Sequence, residues 1–442
     1  MSVEELKKQA EAIFRHALTA VDPYNCVQSH VSLKGTTLTV DDSEYDLDKY
    51  ERIIVVGAGK GTAPMARAVE EVLKDRISAG LVVVKYGHSE PLTRVLVREA
   101  GHPLPDAAGV SAAQEIMDLI SGLDSKTLVL CLLSGGGSAL LISPAEGISL
   151  DDKMETTKLL LGSGANIQEV NAVRKHLSRI KGGSLAAVAA PATIITLILS
   201  DVIGDPLDVI ASGPTAPDSS TFAEAFAILK KYAILEKVPP TVRRVLEEGV
   251  SGKRAETPKA GDPVFTSVKH YITGNNWQAL AAAREKAESL GFTSMTLTSS
   301  LTGEAREIAK VYTAITREIR ERSMPLSPPA CILAGGETTV TIQGDGLGGR
   351  NQEMALSAAL ELEGLKDVLF LSAGTDGTDG PTDAAGALAY GETLDRAKEL
   401  GLDPREFLAR NDSYWFFEGL GDLLITGPTR TNVMDIQVML VE

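Results

Sequence analysis

The chain repeats one pattern, in which a short apolar run leads into a glycine-rich or polar loop, and segments with helical periodicity stand between the runs. Four such runs are RIIVV from residue 52, TLVLCLL from 127, TIITLIL from 193 and ACILA from 330. Runs of this length bounded by glycine are typical of buried strands. Because the strands alternate with helices, the sequence predicts an α/β protein with a mostly parallel, doubly wound sheet.

The length of the chain and one polar segment predict more than one domain. A chain of 442 residues exceeds one ordinary hydrophobic core. Residues 236–263 are rich in proline, glycine and charge, which is typical of a boundary. We therefore expect one domain over residues 1–250 and a second over 251–442, with the strand VKHYITG opening the second. The adjacent short strands ACILAGG and TTVTI and a strand at the terminus predict a mixed second sheet.

Charge and cysteine content exclude several classes of protein. The formal net charge of −16 and a pI near 5.0 argue against nucleic acid or an anionic membrane surface as the main partner. The three cysteines show no metal-binding spacing, and two lie in apolar runs, as expected of a reduced protein. The N-terminal segment is an amphipathic helix without a signal-peptide core, and no apolar run approaches the roughly 18 residues of a membrane span. We expect a cytoplasmic protein.

The loop GAGKG at residues 57–61 follows the first apolar run and precedes a helix. It matches neither a P-loop nor a dinucleotide fingerprint, because Gly61 follows Lys60 and Thr62 replaces the third glycine. Gly59 would still allow close backbone approach, and Lys60 adds a cation beside a helix N-terminus. The alternative is a tight turn with a solvated lysine.

A second loop, SGGGS at residues 134–138, follows the apolar run TLVLCLL. Successive backbone N–H groups in such a loop can form an anion-binding nest. The alternative is a turn packed beneath a neighbouring helix. Because three glycines cost conformational entropy in a structural turn, we favour an anion-binding role.

Residues 166–190 are read as one helix on which Asn171, Arg174, Lys175 and Ser178 share a polar, cationic face. A solvated face is the equal alternative. Asp201 follows the run TIITLIL, where it could accept a hydroxyl proton or hold a metal ion. His102, in AGHPLPD, is expected to serve a turn.

The segment GGETTVTIQGDGLGGRNQE from residue 335 runs from a strand through a glycine-rich loop to a helix that begins near Arg350. A guanidinium beside a helix N-terminus is suited to binding phosphate. Glu337 lies on this loop, and Asp376 lies on the later loop GTDGTDGPTD. Carboxylates beside an arginine suit a Mg²⁺–nucleotide site, and a run of Asx turns is the alternative.

Together, these motifs resemble the glycerate kinase family that carries a MOFRL domain, the glycerate 2-kinases. They lie in family order from about residue 53 to the C-terminus. The motifs are VVGAGKGTAPMA, LLSGGGSALL, NAVRKHLSRIKGG, LSDVIGDPLDVIASGPT, AGGETTVTIQGDGLGGRNQE, SAGTDGTDGPTDAAGA and TGPTRTNVMDIQV. The resemblance implies a Rossmann-like N-terminal domain, a C-terminal α/β domain whose MOFRL region covers residues 330–440, and an active site between them.

The resemblance also implies the reaction, in which ATP phosphorylates D-glycerate to 2-phosphoglycerate with Mg²⁺ or another divalent cation. The residues most associated with catalysis map to Lys60 and Arg350, to which we add Asp201 as the hypothetical base. We expect substrate or phosphate to be bound by Gly59, Ser134, Gly135, Gly136, Gly137, Ser138, Asn171, Arg174, Lys175 and Asn351. We expect nucleotide at Gly335, Gly336, Gly348, Gly349, Thr375 and Gly377, and the metal at Glu337 and Asp376. A homodimer is the candidate assembly.

Two other functions remain open from the sequence. A nicotinamide-dependent hydroxypyruvate reductase would act on a related three-carbon acid, but it needs a dinucleotide fingerprint that GAGKGT lacks. A non-catalytic sensor of sugar acids or nucleotides would need fewer charged loop residues. Turnover, as opposed to stabilisation by ligand, distinguishes the sensor from an enzyme.

Overall fold

The computed structural model describes residues 2–442, which divide into two compact units. The first unit is Pro23–Thr273, and the second combines residues 2–22 with Gly274–Glu442. The N-terminal helix α1 (Val3–Ala20) thus belongs to the second unit. The division differs from the boundary expected at residue 250.

The first unit holds nine strands and nine helices among its described residues. Its strands are β1 (Val31–Lys34), β2 (Thr37–Val40), β3 (Ser43–Asp46), β4 (Arg52–Ala58), β5 (Ala79–Lys85), β6 (Leu96–Ala100), β7 (Thr127–Leu133), β8 (Thr193–Leu199) and β9 (Val268–Gly274), whose last residue falls in the second unit. Its helices are α2 (Pro23–His30), α3 (Thr62–Leu73), α4 (Ala107–Ile120), α5 (Gly137–Leu140), α6 (Leu150–Gly162), α7 (Ile167–His176), α8 (Ser184–Ala189), α9 (Phe222–Lys231) and α10 (Pro240–Val250).

The main sheet of the first unit has the strand order β6-β5-β4-β7-β8-β9. All pairings from β6 to β8 are parallel, so in chain order the strands read 3-2-1-4-5-6, as in a Rossmann fold. This confirms the predicted doubly wound sheet. The order reverses between β4 and β7, and ligands of such sheets bind at the carboxyl ends of the strands at that point.

Burial along the central strands explains this arrangement. Every residue of β7 is buried, as expected of a strand covered by helices on both faces. Val56 and Val129 from the sheet and Ile116 from α4 share one hydrophobic core. The strands β1, β2 and β3 form a separate antiparallel sheet.

The second unit is built on a mixed sheet with the order β10-β11-β15-β12-β13-β14, as predicted. Its strands are β10 (Thr293–Leu301), β11 (Ala330–Gly336), β12 (Val368–Gly374), β13 (Gly386–Tyr390), β14 (Leu423–Leu424) and β15 (Asp435–Val441). Its other helices are α11 (Asn276–Ser289), α12 (Ala305–Arg322), α13 (Arg350–Leu362), α14 (Thr393–Glu399), α15 (Pro404–Ala409) and α16 (Ser413–Leu420). β10 and β11 are parallel, and β15 runs antiparallel between β11 and β12. Helix α1 packs on α11, β12 and β15.

Three local expectations differ from the structure. VKHYITG forms β9, an edge strand of the first sheet rather than the start of the second domain. The helix expected over 166–190 is divided into α7, which ends at His176, and α8, which begins at Ser184 directly after Gly182 and Gly183 with their positive φ angles of 55° and 80°. TTVTI forms no strand, and its one β-bridge joins Thr339 to Glu304.

The three cysteines are buried and free. Burial raises the pKa of the Cys131 thiol to about 12 and also raises that of Cys331, so both are poor nucleophiles. Within residues 2–442, no helix has the length and apolar character required to cross a membrane.

Candidate active site

The loops that follow β4 and β7 are bonded to each other where the strand order reverses. The Lys60 N–H donates to the Gly135 carbonyl at 2.8 Å, and the Gly61 N–H donates to Ser134 Oγ at 3.0 Å. A Cβ on Gly59, whose φ is 150°, would lie only 2.1 Å from Ser134 Oγ. The predicted residues Gly59, Lys60 and Ser134 therefore come together, with the buried Ser134 hydroxyl joining the two loops.

His102 lies against the same pair of loops. A Cβ on Gly136 would be 2.9 Å from the His102 ring and 3.4 Å from Lys60 Cγ. Burial, and then the positive charges of Lys60 and Lys85, lower the pKa of His102 to about 4. The imidazole is therefore neutral at pH 7 and lies beside Lys60, a position that its expected role in a turn did not anticipate.

The turn that follows β8 is strained and touches the second glycine loop. Ala211, Ser212 and Gly213 have successive positive φ angles of 50°, 62° and 60°. The Ser212 hydroxyl lies 3.0 Å from Ser138 Oγ and donates to Asn171 Oδ1 at 3.4 Å. Backbone strain of this kind concentrates at functional sites. The sequence IASGPT gave no sign of it at Ala211, because alanine rarely adopts this conformation.

The cationic face predicted on α7 is mostly buried. Lys175 Nζ lies 3.0 Å from Asp208 Oδ2 and 3.2 Å from Asp218 Oδ1, so this ammonium is neutralised within the protein. Arg174 is half-buried and forms no ion pair with any described residue. Ser178 lies beyond the end of α7 and does not share its face. Asp201 is half-buried, two residues past the end of β8.

Arg350, the first residue of α13, is fixed by two carboxylates of the second unit. Its Nε and Nη2 atoms donate to Asp435 at 2.5 and 2.9 Å, and its Nη1 atom lies 3.0 Å from Glu337 Oε1. Burial alone would lower the pKa of Arg350, but the pairing with Asp435 and the charges of Glu337 and Asp379 raise it above its usual value. Sequence analysis did not identify Asp435 as a site residue.

Strand register explains this convergence. Asp435 opens β15 and pairs with Gly336 at the end of β11 and with Gly374 at the end of β12. The loops that carry Glu337 and Asp376 therefore leave the sheet at one edge. A Cβ on Gly374 would lie 3.5 Å from an oxygen of both Asp376 and Asp435.

Asp379 caps the helix that carries Arg350. Its carboxylate accepts from the N–H groups of Asn351 at 3.1 Å and Gln352 at 2.8 Å, and also from Asn351 Nδ2. Burial raises the pKa of Asp379 to about 7 in spite of these bonds. Since Asn351 Oδ1 also accepts from the Ser372 hydroxyl, the side chain of Asn351 is used to hold the loops together.

The residues expected to bind nucleotide contact protein atoms closely. A Cβ on each of five glycines would lie within 2.3 Å of another residue of this chain. These glycines are Gly335, Gly336, Gly348, Gly349 and Gly377. Thr375 is buried, where it donates to the Met434 carbonyl and accepts from the Val433 N–H. Close packing thus explains why glycine stands at these five positions and threonine at position 375. These residues determine the shape of the loops around Arg350.

Carboxylates outnumber cations around Arg350, and these carboxylates are the candidates for binding a metal ion. Glu337 is exposed and Asp376 is half-buried, while Asp435 and Asp379 are buried. Across residues 2–442, no group of three or more histidine, cysteine or acidic side chains is placed to hold a metal ion. Mg²⁺ in nucleotide sites commonly uses one or two protein carboxylates, with phosphate and water as its other ligands. Glu337 and Asp376 fit that requirement.

Two family models match the chain. A domain of unknown function, DUF4147, matches residues 9–247, and the MOFRL family matches residues 330–435. The chain is 44% identical over 439 residues to a protein of Thermotoga maritima named D-glycerate 2-kinase, covering 99% of both chains. It is also 45% identical over 392 residues to a protein of Agrobacterium vitis that carries the provisional name hydroxypyruvate reductase, covering 88% of this chain and 87% of that one.

A solved structure gives the same result. The crystal structure of glycerate kinase from Thermotoga maritima superposes with a TM-score of 0.88 at 43% sequence identity, covering 99% of this chain and all of that one. The two family models and the full-length similarity identify the chain as a member of the glycerate kinase family that carries a MOFRL domain.

Proposed function

We propose that the protein transfers the γ-phosphoryl group of ATP to the 2-hydroxyl of D-glycerate, giving 2-phosphoglycerate and ADP. The observation that carries this proposal is that each unit contains one candidate phosphate-binding site. A lysine lies on glycine loops at the strand-order reversal of the first unit, and an arginine at a helix N-terminus lies among carboxylates in the second. Phosphoryl transfer depends mainly on positioning and charge neutralisation, which these groups can supply.

Lys60 is the proposed cation for the transferring phosphoryl group in the first unit. The main-chain N–H groups of Lys60 and Gly61 bond to the loop at 134–138, which holds the backbone of Lys60 in place. The low pKa of His102 leaves the imidazole uncharged at neutral pH, so it adds no second cation beside Lys60. Asp201 is the proposed base for the acceptor hydroxyl.

Arg350 is the proposed phosphate ligand in the second unit. Asp435 holds the edge formed by Nε and Nη2, so Nη1, which pairs with Glu337 in this structure, is the proposed donor to the ligand phosphate. Glu337 and Asp376 would hold Mg²⁺, which when bound would neutralise the charge of the nucleotide phosphates. The loops at 335–336, 348–349 and 375–377 would border the nucleotide.

The test is phosphorylation of D-glycerate by ATP and Mg²⁺, with the product assigned by phosphorus NMR. A 2-phosphoglycerate signal is expected from the wild-type chain. Lys60→Ala should lower kcat/KM by about 10²–10³-fold, the scale of losing one charged group that stabilises a transition state. Lys34→Ala, at an exposed lysine of β1, is the matched control. An unchanged kcat/KM for Lys60→Ala would remove the proposed role of that lysine.

The reductase alternative is kept because one close relative carries that name. It predicts consumption of NADH with hydroxypyruvate and no phosphorylated product from glycerate. A 3-phosphoglycerate signal would keep the kinase and move the site of phosphorylation. Stabilisation by ATP without any product would instead favour a sensor.

We further propose a cytoplasmic location, where the three buried thiols would remain reduced. A homodimer is the assembly proposed for the chain. Light scattering of the purified full-length protein at two concentrations tests it, and a monomer mass at both would contradict it.

A further inference from the structure

A cavity of about 740 Å³ lies in the first unit, between α5, α6, α7 and the loop at 103–105. Its lining includes the apolar side chains of Leu104, Met154 and Leu161. It also includes four cations and one carboxylate, which are Lys153, Lys158, Arg174, Lys181 and Glu155. Ligand pockets typically enclose about 300–1,000 Å³, so the cavity is large enough for a small organic molecule.

Among the described residues, none of these cations forms an ion pair with a carboxylate, including Glu155 of the same lining. Lys153 donates to the carbonyls of Arg174 at 3.1 Å and Leu177 at 2.8 Å, and Lys181 donates to those of Ser138 and Ala211. Neither ammonium forms an ion pair within residues 2–442, although each is almost fully buried. The Arg174 guanidinium forms neither an ion pair nor a hydrogen bond with the described residues.

The neighbouring Lys175 differs from these cations, because it has carboxylate partners. That ammonium is as buried as Lys153, and it contacts both Asp208 and Asp218. Burying a charge without a counter-ion is costly, and an ionic partner offsets that cost. Burial and neighbouring positive charges accordingly lower the pKa of Lys153 to about 7 and that of Lys181 well below its usual value. An anion in the cavity would reverse both effects.

We propose that this cavity binds an organic oxyanion, a carboxylate or phosphate, through Arg174. The apolar side chains of the lining would contact the body of the ligand. Two sources share this chemistry. One is the acceptor itself, in which case the inference rests on the proposed function and Arg174 holds the carboxylate of glycerate. The other is a separate organic acid or phosphate that binds whether or not the chain is a kinase.

Calorimetry on the full chain without nucleotide tests the proposal, with D-glycerate, phenyl phosphate and inorganic phosphate as probes. Arg174→Gln should weaken binding of at least one probe by about 10- to 100-fold, the effect of losing a charged hydrogen bond. Arg179→Gln makes the same change at an exposed arginine whose guanidinium bonds to Gln114, and it should change the affinity less than twofold. If neither organic probe binds, or if the two variants bind alike, the proposal is overturned.

The two sources give different results. A loss of glycerate affinity matched by a rise in the KM for glycerate identifies the acceptor. A loss confined to phenyl phosphate identifies a separate ligand. Since binding is measured without ATP, absence of turnover would remove the proposed function and leave this test intact.

A second pair of variants tests the proposal at an exposed residue. Leu161 lines the cavity and is 60% exposed, so polar substitutions there leave the core unchanged. Leu161→Glu should weaken anion binding about two- to threefold more than Leu161→Gln, because it adds a negative charge near the cations. Equal affinities of the two variants would contradict an anionic ligand.

Discussion

Arg350 depends on a residue 85 positions away in the chain. Asp435 is buried, and it accepts hydrogen bonds from two of the three guanidinium nitrogens, Nε and Nη2, along one edge. A bidentate carboxylate fixes the plane of an arginine as well as its charge. The position of Arg350 in the site is thus set by the register of β15 between β11 and β12.

Asp435→Asn should therefore lower kcat/KM through Arg350. We expect a loss of roughly 3 kcal/mol in the free energy of unfolding, because the half-buried guanidinium loses its counter-charge. The combination Asp435→Asn with Arg350→Ala should have no lower kcat/KM than Arg350→Ala alone, since both changes act through one group. Additive losses in this double-mutant cycle would contradict the positioning role. Asp367→Asn, which removes a surface partner of Arg320, is the control.

His102 should make the protein less stable in acid. Its pKa in the folded protein, about 4, lies below its usual value of about 6.5. The unfolded chain therefore binds a proton that the folded protein does not, and stability falls as the pH drops from about 6.5 towards 4. His102→Gln should gain stability relative to wild type between pH 7.5 and pH 5, measured as the difference in Tm. The control is His16→Gln, at an exposed position of α1. The same gain in stability in that variant would show that the effect does not come from the burial of His102.

At the scale of elements, the turns at the carboxyl ends of the strands do more than connect. The loop after β4 is bonded to the loop after β7, and the strained turn after β8 contacts α5 through Ser212 and Ser138. The parallel register of β4 and β7 brings their last residues, Ala58 and Leu133, side by side. Because the bonds between the loops after β4 and β7 are donated by main-chain N–H groups, their geometry depends on close backbone approach.

Gly59→Ala tests that dependence. The new Cβ would lie 2.1 Å from Ser134 Oγ and 2.5 Å from the Ser134 carbonyl oxygen, at a φ that alanine rarely adopts. We expect a loss of about 2–4 kcal/mol in urea unfolding, together with reduced kcat/KM, because the loops must separate. Gly122→Ala also has a positive φ but open space around it, so it measures strain alone. A loss no larger than that of Gly122→Ala would show that the contact is unimportant.

At the scale of the whole molecule, α1 is the first helix in the sequence, but it packs in the second unit with the C-terminal residues. Its buried residues, among them Phe14, face α11, β12 and β15. The polar segment at 236–263 suggested a boundary, yet it holds α10, and β9 beyond it still joins the first sheet. Composition identified an exposed segment, but the division depends on which elements bury one another.

Phe14→Ala should destabilise the second unit selectively. Removing a fully buried phenylalanine costs about 3–5 kcal/mol. Hydrogen exchange of the amides in β12 and β15 should accelerate more than that of the amides in β4 and β5. Ile116→Ala in α4 should produce the opposite pattern, because its side chain packs in the core of the first sheet. Equal acceleration in both sheets by either variant would contradict the division into units.

Sequence by itself determined the secondary-structure elements and the loops that a local pattern of residues defines. Apolar runs, helical periodicity and glycine loops lie within a few residues of each other, so they predicted the parallel first sheet, the mixed second sheet and the loops that carry Lys60 and Arg350. The helix expected over 166–190 shows the limit of this reasoning, since the structure divides that segment into α7 and α8.

Tertiary structure alone decided the long-range partners. Asp435 beside Arg350, His102 beside Gly136, the turn at Ala211–Gly213 against Ser138 and the placement of α1 all join residues with no fixed spacing. It also decided that Lys175 is neutralised while Arg174 is not. These adjacent residues have similar side chains, and only the packing of α7 against its neighbours determines which cation meets a carboxylate.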